Sequence, residues 1–219
     1  MSVNQMESTA GQKNLAVNMR LLGILGMLGA PMLFLENVIH ALMKESEKLD
    51  ERFIGFLGIF YIGGWMASAI GIRKLKVTGE GTASKIAFII QMSGLILAFL
   101  FNVQQLFGET YATSGVFWRI TDVAYPFSHV FMIVVAILVW RARVWKGFAR
   151  IAPVFVGSML PMFFAFALMG TNQFGAVIAT CSAAVGFVII ALTVRSGISR
   201  KENIELENEN FNASALLAK

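Results

Sequence analysis

Two carboxylates and two histidines interrupt the otherwise apolar stretches of this chain: Glu36, His40, Asp122 and His129. Glu36 and His40 are four residues apart with Asn37 beside them, so a helix carries all three on one side. Asp122, Tyr125, Pro126 and His129 fall within an arc of roughly 100° by the same geometry. A third stretch presents Gln91, Gly94, Ala98, Asn102 and Gln105 as a narrow stripe of small and amide groups, and a fourth aligns Tyr61, Trp65 and Ser68. An acid held at the centre of a bilayer opposes insertion by about 2.5–3.5 kcal/mol, so such residues turn inward and mark sites. The candidate site is therefore Glu36, His40, Asn102, Gln105, Asp122, Tyr125 and His129, converging on one polar, outward-biased pocket.

Several chemistries fit these residue types unequally. Glu36, His40, Asp122 and His129 are permissible metal ligands, but Glu-x3-His is not the His-Glu-x2-His spacing of a zinc helix, and the chain has no third histidine. A haem between His40 and His129 is weaker still. No nucleophile–base pair is evident. No cofactor and no metal is therefore expected, and the pattern leans away from an enzyme. The competing structural reading makes Glu36–His40 an intrahelical pair and the amides interhelical glue worth about 1 kcal/mol each. It also places Asp122 at the headgroup level, with Pro126 in the first turn of its helix, where the missing donor costs nothing.

What must position these residues is a membrane bundle. The chain is 57% hydrophobic and only 14% charged, against about a quarter charged for a soluble domain. Six apolar segments, near 18–42, 53–72, 86–107, 118–140, 148–169 and 174–194, each approach the ~20 residues that cross a bilayer as a helix. They are too long and continuous for barrel strands, which alternate over about ten residues. The fold class is all-α: a polytopic integral membrane protein forming a six-transmembrane-helix bundle.

The net charge of +5 does not signal nucleic acid, because the cations sit in short loops between apolar runs. One side collects Lys13, Arg20, Arg73, Lys74, Lys76, Lys85, Arg141, Arg143, Lys146, Arg150, Arg195, Arg200, Lys201 and Lys219. The other has only Lys44, Lys48, Arg52 and Arg119. The positive-inside rule makes both termini cytoplasmic. Residues 1–14 and 198–219 read as disordered cytoplasmic tails, and 15–197 as a single transmembrane domain whose first span is a retained signal anchor. Asn212-Ala-Ser214 matches the glycosylation pattern but falls in the cytoplasmic tail on this topology. Gly79–Lys85 reads as a cytoplasmic turn, since it lacks the spacing of a phosphate loop. Cys181 has no partner for an intrachain disulfide.

Helix faces are readable too. Gly63, Ala67 and Gly71 recur every four residues, as do Gly175, Ala179 and Ala183; small residues let helices approach closely in lipid. Tyr111, Phe117, Trp118, Trp140 and Trp145 read as interfacial anchors. The small size and short loops resemble small bacterial integral membrane proteins, which implies a plasma (inner) membrane location. Three function classes follow. One is a small transporter/permease-like or solute-sensing protein with a polar outer cavity for a solute, proton or lipid. The others are a non-catalytic component that binds a lipid or partner protein, and an intramembrane metal- or haem-dependent enzyme.

Overall fold

In a computed structural model, residues 18–43, 49–109 and 115–197 are described. Both tails, Tyr111 and the core of the 43–52 loop lie outside them. Helix α1 runs Asn18–Leu42, α2 Glu51–Lys74, α3 Thr82–Leu106, α4 Val116–Ala142, α5 Gly147–Gly157, α6 Met159–Leu168 and α7 Asn172–Ser196. Five helices are long and apolar enough to cross a membrane, and α5 with α6 makes a sixth crossing if the bent pair counts as one. The chain is thus an all-α, multi-pass membrane protein.

Local sequence explains the helix ends. Asp50 caps α2, its Oδ1 accepting the Arg52 N–H at 2.9 Å, while Glu51 and the Arg73–Lys74 pair complement the two ends of the helix dipole. Between α2 and α3, Arg73 Nη1 donates to Ser84 Oγ (3.1 Å) and the Thr78 and Ser84 hydroxyls meet at 2.6 Å, so part of Gly79–Lys85 is tied down by side chains.

Two spans are interrupted, each beside a proline. A turn at Ala30–Pro31 divides α1. The segment expected as one span over 148–169 instead bends by 49° between α5 and α6. Pro161 has no N–H for the Gly157 carbonyl four residues back, and its ring crowds that carbonyl, so the helix breaks at Gly157–Ser158. Pro126 behaves differently. It lies well inside α4, which starts at Val116, and not in a first turn. The Asp122 carbonyl thereby loses its helical donor.

The helices form a ring around a core of Tyr61, Ile62, Leu95, Met132, Phe187 and Ile190. Neighbours α2, α3 and α4 pack in sequence; α5 lies on α4 and α7, α6 lies on α7, and α1 closes the ring against α2 and α7. Large apolar side chains such as Leu28, Ile89, Ile96, Val123 and Ile137 point outward, the inverse of a water-soluble surface and the solvent-facing layer expected in lipid. Trp140 is exposed and carries the Arg150 guanidinium 3.9 Å above its ring, as suits an interfacial anchor. Trp118 and Trp145 are buried instead, and fill the core.

The small-residue expectation is corrected by one position. Among the described residues nothing lies within 4 Å of a side chain built at Gly63, whereas one at Gly64 would stand 2.8 Å from the Gly29 Cα. The α1–α2 crossing is therefore made at Gly29 and Gly64, where backbones touch. Gly64→Val is expected to destabilise the folded protein by about 1–3 kcal/mol or to prevent folding, and Gly63→Val to have little effect. Thermal unfolding of the two variants in one detergent checks this; equal melting temperatures would contradict the crossing.

Candidate binding cavity

Helical spacing brings the polar groups together. Gly58 and Tyr61 on α2, Asn102 and Gln105 on α3, and Asp122 and Tyr125 on α4 are pairs three residues apart, each on one helix face. Glu36, from the half of α1 after its proline break, faces the same space. Together these residues wall a cavity of about 220 Å³, room for roughly seven waters at the ≈ 30 Å³ each occupies in the liquid. It sits toward the end of the bundle that carries the α1–α2 and α3–α4 connections.

Gly58 makes the cavity possible, because a methyl there would fall on the Asn102 amide. The Asn102 Nδ2 donates to the Ala98 carbonyl at 2.8 Å, which fixes the amide orientation and leaves Oδ1 on the α2 side. Gln105 Nε2 donates to Glu51 Oε2 at 3.1 Å, and its Oε1 is buried without a partner among the described residues, as is the Tyr125 hydroxyl. Neither Glu36 nor Asp122 has a hydrogen-bond or ion-pair partner among the described residues. Among the described residues, the cavity wall thus holds two carboxylates and the amide side chains of Asn102 and Gln105, and no cationic side chain.

Below this space lies an aromatic layer around His129. The imidazole is fully buried, one helical turn beyond Tyr125. Its Nδ1 faces the Val156 carbonyl at 3.5 Å and its Nε2 faces the Tyr61 hydroxyl at 3.3 Å. A carbonyl can only accept, so the neutral ring carries its proton on Nδ1, and Tyr61 donates to Nε2. Trp65 lies 4.6 Å from the imidazole centroid, Tyr125 5.2 Å and Tyr61, nearly parallel, 6.0 Å; Phe187 packs edge-on against Tyr61 and Trp65. Beyond the layer a second cavity of about 30 Å³ is bounded by Trp65, Ser68, Gln91, Met132 and, toward the α2–α3 loop, Arg73 and Ser84. That volume suits one or two waters.

Of the seven residues read from sequence, the structure gathers Glu36, Asn102, Gln105, Asp122 and Tyr125 around one cavity. His129 is not in its wall but a layer beneath, linked through Tyr61. His40 is exposed, apart from the cavity and unpaired with Glu36 among the described residues. The suggested four-ligand metal set is not assembled: no cluster of three or more His, Cys, Asp or Glu exists among the described residues. Sequence reasoning left out Tyr61, Gly58 and Glu51. Tyr61 stands beside Trp65 and Ser68, but an aromatic at helical spacing reads as core; Glu51 is the first residue of α2, outside the polar stripes.

The chain matches no protein-family model, no curated protein and no solved structure. The geometry alone carries the functional reading.

The two tyrosines of this site are distinguishable by stability. Tyr61→Phe leaves the buried Nε2 of His129 without its donor and is expected to cost about 1–3 kcal/mol. Tyr125→Phe removes a buried hydroxyl that has no partner among the described residues, and its unfolding free energy should stay within about 0.5 kcal/mol of the parent. Equal losses for both, in the same denaturation assay, would contradict the hydrogen-bond assignment.

Proposed function

We propose that this chain is a small transporter/permease-like or solute-sensing membrane protein whose carboxylate cavity binds a small cationic solute. The observation that carries the reading is the chemistry of the wall: Glu36, Asp122 and Asn102 Oδ1 supply acceptors, and among the described residues no lysine, arginine or histidine lines the space. A carboxylate withdrawn from bulk water is stabilised by a cation seated against it or by a proton. The neighbouring Glu51, held by Gln105, adds to the negative field at the same end. Phe101, Tyr61 and Tyr125 supply aromatic surface, which suits an organic ammonium group. The break in α1 at Pro31 supports the same reading, because interrupted spans recur where transporters build their sites.

The cavity end is the outer face on this proposal. The loop between α2 and α3 and the segment around Arg141–Arg150 hold eight of the eighteen cations, against four on the opposite connections, and belong on the cytoplasmic side with both termini. A bacterial plasma membrane is the setting proposed from the chain's size and short loops.

Ethylammonium and acetate, of similar size and opposite charge, test the cavity in the full chain reconstituted in nanodiscs. Calorimetry should detect ethylammonium binding and no acetate binding. Glu36→Gln should weaken ethylammonium by about 10- to 100-fold, the worth of one hydrogen bond to a charged group, with the melting temperature nearly unchanged. Indifference to the sign of the ligand's charge, or undiminished binding by Glu36→Gln, would overturn the proposal.

A further inference from the structure

The hydrogen bond beneath the cavity has a direction, and that direction suggests what travels along it. Tyr61 stands in the cavity wall and in the aromatic layer at once: it lines the space shared by Glu36 and Asp122, and its hydroxyl reaches His129 Nε2. Because the Val156 carbonyl occupies Nδ1, the free lone pair of the ring is the one that Tyr61 faces. The tyrosine oxygen retains lone pairs with which to accept from the cavity while it donates to the ring.

We infer that His129 is a proton-binding site loaded from the carboxylate cavity through the Tyr61 hydroxyl. This inference rests on the cavity reading above and deepens it by naming the proton as an ion coupled to the same site. In the step, Nε2 takes the Tyr61 proton as the Tyr61 oxygen takes one that the Glu36 carboxylic acid releases to water in the cavity they both line. The imidazole becomes imidazolium, Glu36 becomes carboxylate and Tyr61 is neutral before and after, so one proton has moved, the net charge is unchanged and an imidazolium–carboxylate pair has formed.

Three features fit the loaded state. The centroids of Trp65, Tyr125 and Tyr61 all lie within about 6 Å of the ring, and Tyr61 turns its face to it, the side of an aromatic ring that attracts a cation. The Val156 carbonyl accepts from Nδ1 in both protonation states. It belongs to the segment just ahead of the Gly157–Ser158 break, where side chains reach backbone carbonyls: Ser158 Oγ and Ser182 Oγ both donate to the Phe155 carbonyl, at 3.0 and 3.4 Å.

The charged and titratable groups around the ring come from few elements. Glu36 on α1 and Tyr61 on α2 share the cavity wall above it; α4 contributes Asp122 and Tyr125; among the described residues α3 offers the uncharged Gln91, α5 the Val156 carbonyl and α7 the Phe187 ring. Arg73 lies across the small cavity beyond Trp65. Size discriminates as well. The carboxylate cavity accommodates a small molecule, but the space beyond the aromatic layer accommodates only water. In this conformation the layer stops a solute and leaves a proton as the species that can enter it.

The chain has two histidines, so a His40→Gln background isolates His129 for nitrogen NMR of the full protein in nanodiscs. His129 should appear as the Nδ1–H tautomer when the ring is neutral and gain a second proton on acidification while the protein stays folded. Tyr61→Phe should slow proton exchange at His129 by about a hundredfold, within the 10²–10⁴ contribution of a positioned proton donor. A hydroxyl that served only packing would give the opposite result, since loosening the layer speeds exchange. A ring that stays singly protonated throughout the folded range, or exchanges as fast or faster in Tyr61→Phe, would overturn the inference. Loss of ethylammonium binding alone, with exchange intact, would sink the cation reading and leave His129 as a proton site.

Discussion

Lipid supplies no hydrogen bonds, and nearly every feature of this molecule is a response to that fact. A backbone that crosses hydrocarbon must satisfy its own donors and acceptors, which selects helices. Side chains that cannot be satisfied in hydrocarbon must find one another. Glu36, Asp122, Asn102 and Gln105 stand on three different helices, yet share one cavity. The outward faces of those helices carry Leu35, Ile96 and Val123. Polar groups inside and apolar groups outside are thus two consequences of the same solvent.

Packing without a hydrophobic drive between helices depends on close approach, and glycine sets where it occurs. Gly29 against Gly64 brings α1 onto α2, and Gly58 makes room for the Asn102 amide between α2 and α3. The first contact closes the bundle; the second allows a polar group to sit where two helices would otherwise touch. The prolines act alongside. Pro161 bends one span next to the carbonyl that His129 faces, and Pro31 separates the half of α1 that packs at Gly29 from the half that bears Glu36. The histidine layer then divides the interior into two cavities of very different size, which relates the architecture to the proposal that solute and proton are handled at different depths.

Much of this was legible from residues alone because helical periodicity is strict. The three-residue spacing of Asn102 and Gln105, and of Asp122 and Tyr125, suffices to place each pair on one face, and the cost of a buried acid suffices to turn that face inward. What periodicity lacks is a rotation reference between helices and a depth for each residue. Gly63 and Gly64 differ by 100° of rotation, and sequence favoured the wrong one because Gly63 begins the longer run of small residues. His40 shares a face with Glu36 but lies one turn nearer the helix end, beyond the cavity. Trp118 and Trp145 have the composition of anchors, yet neighbouring helices cover them. The continuous apolar run over 148–169 concealed a bend, since hydropathy is blind to the donor that Pro161 lacks.

The central claim is that the acids face a water-connected space within the bundle, while the opposite face of the same helix meets lipid. In a Cys181→Ser background, Asn102→Cys and Ile96→Cys place thiols on these two faces of α3, and a small, membrane-impermeant cationic thiol reagent applied to each side of sealed vesicles reads them directly. The account predicts that Asn102→Cys reacts from the outer side only and that ethylammonium protects it, with Ile96→Cys inert from both. An inert Asn102→Cys, or one modified only from the cytoplasmic side, would contradict it.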